Sequence, residues 1–388
     1  MSVLRFGHAV GLVTEKASFR DGRQIALEAI ESGTGRLLHV DAEYSGDGVA
    51  FASGDVLFGK LRPYLSKAWL ADGDGAAVGD FHVYRPLSNR TDGRYLLYVT
   101  LSRAFIDPVV SSVYGAKMPR ASWDFIRNVE IYLPPLAEQR AIANYLDRET
   151  AQIDTLIAKQ EQLIATLRER RLAELRSATG WMGALRPGWR WQRLSWVFGS
   201  TASGTTPAPE DLVEPNESTL PWVTTGELRE REIRSSRLAI EPEVVAKYSA
   251  LKVHPAGSLL VAMYGATIGR TAVLGTDATS NQACCALVEP LQASARFVEY
   301  SLQAAREHLL LDAAGGGQPN INQDKLRAFR IPIPPSGAER GILLELEAKL
   351  FRFDLITEKA ERFIELAKER RSALITAAVT GQLDVHAA

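Results

Sequence analysis

The chain has 388 residues, 45 Lys and Arg against 46 Asp and Glu, and an ordinary globular composition of 46% hydrophobic and 23% charged residues. That length calls for two or three domains, and the composition excludes wholesale disorder and a low-complexity fibre. The charge balance excludes a sequence-blind polyanion binder driven by counterion release. With no run of eighteen apolar residues and no basic-then-apolar start, we expect a cytoplasmic chain without a membrane span.

In chain order, short apolar runs bounded by Gly, Asp or Pro predict strands at Val56-Leu57-Phe58 and Phe81-His82-Val83-Tyr84, and a helix is expected over 93–106. Gly54-x-x-x-x-Gly59-Lys60 comes within one residue of a phosphate-binding loop, but Leu61 stands where Ser or Thr must ligate magnesium. The double proline Pro134-Pro135 fixes an extended approach to a long helix. Its apolar seam, Ile142, Leu146, Ile153, Leu156, Leu163 and Leu167, recurs at roughly 3.5 residues, and Gly180 marks its stop.

Further on, Ser258-Leu259-Leu260-Val261 and Ala286-Leu287-Val288 read as strands and 294–311 as helix. Arg229, Arg231, Arg234 and Arg237 alternate with Glu227, Glu230 and Glu232, which reads as a solvated helix face. Cys284 and Cys285 are adjacent, so they can build neither a disulfide framework nor a zinc set, and we expect them on a strand. The six histidines are scattered, and no metal site is expected. Pro334-Pro335 opens a second long helix, with Leu343, Leu346, Leu350, Phe353 and Ile364 as its seam and Gly381 as its stop.

These elements form a repeat. Residues from Pro134 align without a gap to residues from Pro334, at an offset of 200, with 13 of 40 positions identical, including Arg140/Arg340, Asp154/Asp354 and the Glu-Arg-Arg triplets at 169–171 and 369–371. The register continues upstream through Gly115/Gly315, Pro119/Pro319, Asp124/Asp324, Arg127/Arg327 and Ile131/Ile331. The chain thus divides into a first globular domain at 1–133, a helix at 134–180, a second domain at 181–333, and a second helix with a tail at 334–388. The expected fold is α+β with a pseudo-two-fold internal repeat. Its helices, each of about 40 residues or ~60 Å, pair antiparallel as a coiled coil and hold the two domains at opposite ends of a rod. The alternative is two ordinary core helices within one domain. The repeat also decides the glycine motif: the second copy, aligned from Gly257, has Ala262-Met263 where the first has Gly59-Lys60, so the segment is a shared turn and not a nucleotide site.

The helix start Pro-Pro-x-x-Glu-Gln-Arg at 134–140, the doubled helices, GDVLFGKLRPYLSKA at 54–68, GSLLVAMYGATIGRTAVL at 257–274 with Asn281-Gln282, GGGQPNINQDKLRAFRIPIPP at 315–335 and Pro187-Gly188-Trp189 together resemble the specificity subunits of type I restriction-modification systems. The resemblance covers nearly the whole chain. It implies a non-catalytic subunit whose two target-recognition domains read a bipartite site on double-stranded DNA. Such a subunit docks two modification (methyltransferase) subunits and restriction (ATP-dependent nuclease) subunits, which carry the S-adenosylmethionine, ATP and magnesium, with no cofactor in this chain. It places the docking contacts at Glu138, Gln139 and Arg140 and again at Glu339 and Arg340. Two departures stand out: Ala338-Glu339 replaces the Glu-Gln pair in the second copy, which implies different contacts there, and the first domain begins without the Gly-Trp segment that opens the second.

Reading DNA needs Arg or Lys for guanine edges, Asn or Gln for adenine edges, and further donors for phosphates. The candidates are Lys60, Arg62, Tyr64, Lys67, Lys117 and Arg120 in the first domain, and Tyr264, Thr267, Arg270, Gln318, Asn320 and Asn322 in the second. Each is weighed against a capping or solvated role. Asn281-Gln282 is expected to make structural hydrogen bonds in preference to reading bases. No Asn/Asp-Pro-Pro-aromatic motif grips a target amine, since both Pro-Pro pairs follow Leu133 or Ile333, and no acidic set for a magnesium nuclease is evident. Two rivals are carried: a self-sufficient methyltransferase or nuclease with an unrecognised catalytic motif, and a coiled-coil scaffold with no role on DNA.

Overall fold

A computed structural model describes residues 3–18, 23–38, 47–113, 118–313 and 320–385. The chain divides into two compact units, residues 1–162 with 359–388, and residues 163–358.

In the first unit the strands are β1 Val3–Arg5, β2 Val10–Val13, β3 Lys16–Ser18, β4 Arg23–Ile25, β5 Asp47–Phe51, β6 Val56–Gly59, β7 Ala68–Leu70, β8 Gly75–Ala77, β9 Phe81–Pro86 and β10 Glu130–Tyr132. They form a four-stranded sheet β2-β9-β6-β7, a second sheet β3-β5-β8-β4, and the pair β1-β10. Helices α1 Gly93–Leu101, α2 Arg103–Ser111 and α3 Trp123–Ile126 pack on them, and the long α4 Leu136–Ala178 follows. One core gathers Phe6, Phe58, Tyr84, Tyr95 and Phe105.

The second unit repeats this plan. Its strands are β11 Arg190–Arg193, β12 Phe198–Ser203, β13 Leu220–Val223, β14 Ala239–Ile240, β15 Leu259–Ala262, β16 Thr271–Val273, β17 Thr279–Ser280, β18 Cys284–Pro290 and β19 Arg330–Ile333. The sheet β12-β18-β15-β16 has the topology of β2-β9-β6-β7, and β11-β19 matches β1-β10. The first domain therefore opens on an equivalent strand although it lacks the Gly-Trp segment. The short α5 Leu194–Val197, then α6 Ala295–Ala304, α7 Arg306–Ala313 and α8 Gln323–Ala328 precede the long α9 Glu339–Val379. The copies diverge in the side sheet, which here is β14-β13-β17.

Within each unit, half of α4 packs on half of α9. In the first, Ile153 and Ile157 meet Ala367, with Ile364 and Leu374 alongside. In the second, Leu175 packs with Leu346 and Leu350, beside Leu343 and Phe353. The α9 seam follows the expected residues. The α4 seam does not: Leu156 and Leu163 are exposed, while Ile157 and Ile164 are buried in their stead. Both steps fit a 3.5-residue period, and only the partner surface decides which row it covers.

Each long helix stops as expected. Gly180 at φ +78° and Gly381 at φ +72° are left-handed, and Trp181 N donates to Arg176 O and Gln382 N to Ala377 O, the hydrogen bonds of a Schellman stop. Three expectations need correction. The stretches 93–106 and 294–311 are each two helices: Ser102 is extended between α1 and α2, its hydroxyl donating to Val99 O, and Ala305 breaks α6 from α7. The Arg/Glu segment 229–237 is not a helix. Glu230 there is left-handed at φ 54°, Glu232 pairs with Arg234, and Glu227 caps the turn at Thr224 and accepts from Arg237 N. Cys284 and Cys285 do lie on a strand, fully buried, and burial pushes both thiols up to about 12. No helix among the described residues is long and apolar enough to cross a membrane.

Candidate nucleic-acid interface

In the first unit, Gly54 turns the chain into β6, so the phosphate-loop-like sequence is strand. The loop between β6 and β7 holds Lys60, Arg62, Tyr64 and Lys67. Arg62 at φ 51° and Ser66 at φ 49° flank a short turn started by Pro63. Two non-glycine left-handed residues in one loop are strained, which a fold retains only where the surroundings impose it. The imposition is visible: Arg62 N donates to Pro119 O, Ala121 N to Lys60 O, and Lys60 N to Asp80 O. Leu61 bridges Arg120, so the structure brings the β6–β7 loop and the segment before α3 together.

The side chains there divide by what already holds them. Lys67 Nζ donates to Leu27 O at 2.7 Å, and Arg120 makes a two-pronged ion pair with Asp80 at 2.9 and 3.0 Å, so both have structural roles. Arg62 and Tyr64 project into solvent, and neither Lys60 nor Arg62 forms an ion pair among the described residues. Burial, with the Lys60 ammonium nearby, pushes the His82 imidazole down to about 4. Lys117 lies outside the described residues.

The second unit has the same junction. Tyr264 bridges Asn320, and Ile321 N donates to Met263 O at 2.8 Å, joining the β15–β16 loop to the segment before α8. Tyr264 and Asn320 are exposed. Thr267 is half-buried, and its carbonyl accepts from Arg270 N; the Arg270 Nε is buried with no partner among the described residues. Asn322 is a helix cap, its side chain accepting from Lys325 N at 2.8 Å. Asn281 and Gln282 make the structural bonds expected of them, Oδ1 of the first accepting from Ala283 N and Oε1 of the second from Thr206. Gln318 lies outside the described residues. Arg306 was missed by sequence reasoning. It donates to Ile268 O at 3.1 Å and so braces the β15–β16 loop from α7, a contact with no signal in the chain order.

At the helix starts, Gln139 is held inside its own unit. It is fully buried, donates to Arg90 O and Pro134 O, and accepts from Asp92 N, which starts α1. Glu339 makes the equivalent bond, both carboxylate oxygens accepting from Ser294 N at the start of α6. The replacement of Gln by Glu thus preserves one internal clamp. Glu138 accepts from the Tyr132 hydroxyl, while Arg140 and Arg340 are exposed. Among the described residues no group of three or more His, Cys, Asp or Glu is placed to hold a metal ion.

Known proteins are similar to this chain. The chain is 25% identical over 184 residues to the Escherichia coli EcoDI specificity subunit, across 46% of this chain and 40% of that one. It is 25% identical over 186 residues to the Escherichia coli EcoR124I/EcoR124II specificity subunit, across 46% and 45%. The match therefore spans less than half the length of these relatives. A solved chain from a study of complex assembly and conformational transition of the type I R-M system superposes with TM-score 0.80 at 19% identity over 98% of both chains. The HsdS subunit from Thermoanaerobacter tengcongensis gives 0.54 at 19% identity over 98% of this chain and 97% of that one. These two share the fold. Residues 29–165 and 188–361 match the type I restriction modification DNA specificity domain, one stretch for each copy of the repeat, and the chain belongs to that family.

Proposed function

We propose that the chain is the DNA-specificity subunit of a type I restriction-modification complex, reading an asymmetric bipartite target with its two domains. The observation that carries this reading is the pairing of a shared scaffold with unlike reading surfaces. The loop-to-helix junction is the same in both units, but one presents Lys60, Arg62 and Tyr64 and the other Tyr264 and Asn320. Different donors on one frame select different bases, so the two half-sites differ. The long helices set the spacing, and half-sites about one DNA turn apart, ~34–36 Å, suit them.

The two modification subunits and the restriction subunits dock on the helices, supported by large apolar side chains that α9 leaves in solvent: Leu344 at 73% and Phe351 at 68% exposure. Catalysis, S-adenosylmethionine, ATP and magnesium belong to those partners, and the chain acts in the cytoplasm. Methylome sequencing of cells expressing the chain with its neighbouring modification gene tests the reading. Two unlike half-sites across a fixed spacer are expected; one contiguous or palindromic motif would overturn it. Lengthening α4 and α9 by one equivalent turn should lengthen the tolerated spacer. Methyl transfer or cleavage by the purified chain alone, with DNA, magnesium and S-adenosylmethionine, would establish the self-sufficient enzyme in its place.

A further inference from the structure

The second unit carries a recess of about 640 Å³ whose lining residues differ from their repeat equivalents in the first. Its floor is aromatic: Trp181 stacks on Phe329 at 5.9 Å and lies 5.4 Å from His308. On its rim Leu311 is 73% exposed. Arg193, Lys325 and Arg330 stand beside it, and among the described residues no carboxylate lines it. The two arginines are directly opposite each other on β11 and β19, and neither forms an ion pair among the described residues.

Like charges opposite each other destabilise a strand pair. The first unit avoids this, with Arg5 opposite Glu130 at the equivalent place. It also has Gln382 after the helix stop where the second unit has Trp181, and Val129 where it has Phe329. The second copy therefore sets two arginines face to face where the first sets Arg opposite Glu, and places a half-buried Trp181 over a buried Phe329 at the same spot, which is the pattern of a surface completed by a ligand.

We propose that this recess docks an acidic segment of a protein partner, an apolar side chain seated on Trp181 and Leu311 between carboxylates held by Arg193 and Arg330, once per chain. Duplex DNA suits it less well. Phosphates are met on open cationic surfaces, and stacked base pairs offer nothing to insert into a ring-floored recess, whereas an apolar anchor flanked by carboxylates satisfies both features. The assignment stands apart from the DNA-reading proposal.

The probe is the fluorescein-labelled peptide EDELFDE, titrated into the full chain by anisotropy beside its basic counterpart KRKLFKR and a labelled duplex. EDELFDE should bind at one site per chain and KRKLFKR should not. The double variant Arg193→Glu with Arg330→Glu should weaken the peptide by about tenfold or more, as two lost charge pairs allow. Leu311→Ser, at an exposed position that folding does not require, should weaken it about threefold. Failure of EDELFDE to bind, or equal binding to the double variant, overturns the proposal. So does a double variant that weakens the duplex and leaves the peptide unchanged, which would assign the recess to DNA. If the complex carrying the double variant still methylates its bipartite motif, the DNA-reading proposal stands whichever way the peptide result falls.

Discussion

The same ion pair occurs once in each unit, and the two copies differ in weight. In the first unit Arg371 meets Asp154 at 3.0 Å with side chains only 7% and 8% exposed, while in the second Arg171 meets Asp354 at 3.2 Å with 28% and 63% exposed. These are repeat-equivalent residues in equivalent register. Around Arg371 the first domain folds a loop whose Gly33 and Thr34 carbonyls each accept one hydrogen bond from its terminal guanidinium nitrogens, and Arg36 adds a second cation to Asp154 at 2.7 Å. Arg171 adds to its ion pair a hydrogen bond to Gln303 at 3.4 Å. The duplicated helix fixes which residues face each other; the domain wrapped on it decides what the contact contributes.

Breaking that pair separates the copies most sharply. Arg371→Ala leaves the buried Asp154 carboxylate with Arg36 alone and takes the guanidinium from the Gly33 and Thr34 carbonyls, and should cost about 2–3 kcal/mol, against less than about 1 for Arg171→Ala. Amide hydrogen exchange within each unit reads both losses, and equal costs would refute the comparison.

A smaller effect follows from pH. Burial pushes His254 in the second unit down to about 4, its ring beside the Ser280 hydroxyl. The unfolded chain takes the proton near 6.5, so the stabilisation from the neutral ring is complete above that pH and is lost progressively as pH falls towards 4. At pH 5 the loss is roughly 2 kcal/mol. Urea midpoints of the second unit at pH 7 and 5 should diverge accordingly, and His254→Gln should flatten the dependence.

The smallest contrast lies at the helix stops. Gly180→Ala and Gly381→Ala each impose a left-handed conformation at about 1 kcal/mol. A Cβ at 180 would also meet the Trp189 ring at 3.0 Å and Pro332 at 3.1 Å, against the Tyr132 ring at 3.2 Å for 381. Gly180→Ala should therefore lower the melting temperature more.

The repeat, the two long helices, their stops and the buried cysteine strand follow from the sequence alone, because each depends on local chemistry or self-similarity: the 200-residue offset, Thr-Gly after the last turn, and apolar runs between turn residues. Which row of α4 is covered depended on the partner helix, which turned Leu156 and Leu163 outward. The candidate site divides in the same way. Residue type nominated Lys67, Arg120 and Asn322 for DNA binding, and the resemblance nominated Gln139 for docking, yet the fold ties each to a carbonyl, carboxylate or helix end, and the bracing of the β15–β16 loop by Arg306 has no counterpart in local sequence. A donor's chemistry is written in its identity, but its availability depends on which acceptors the fold brings within about 3 Å, and those come from residues distant in the chain.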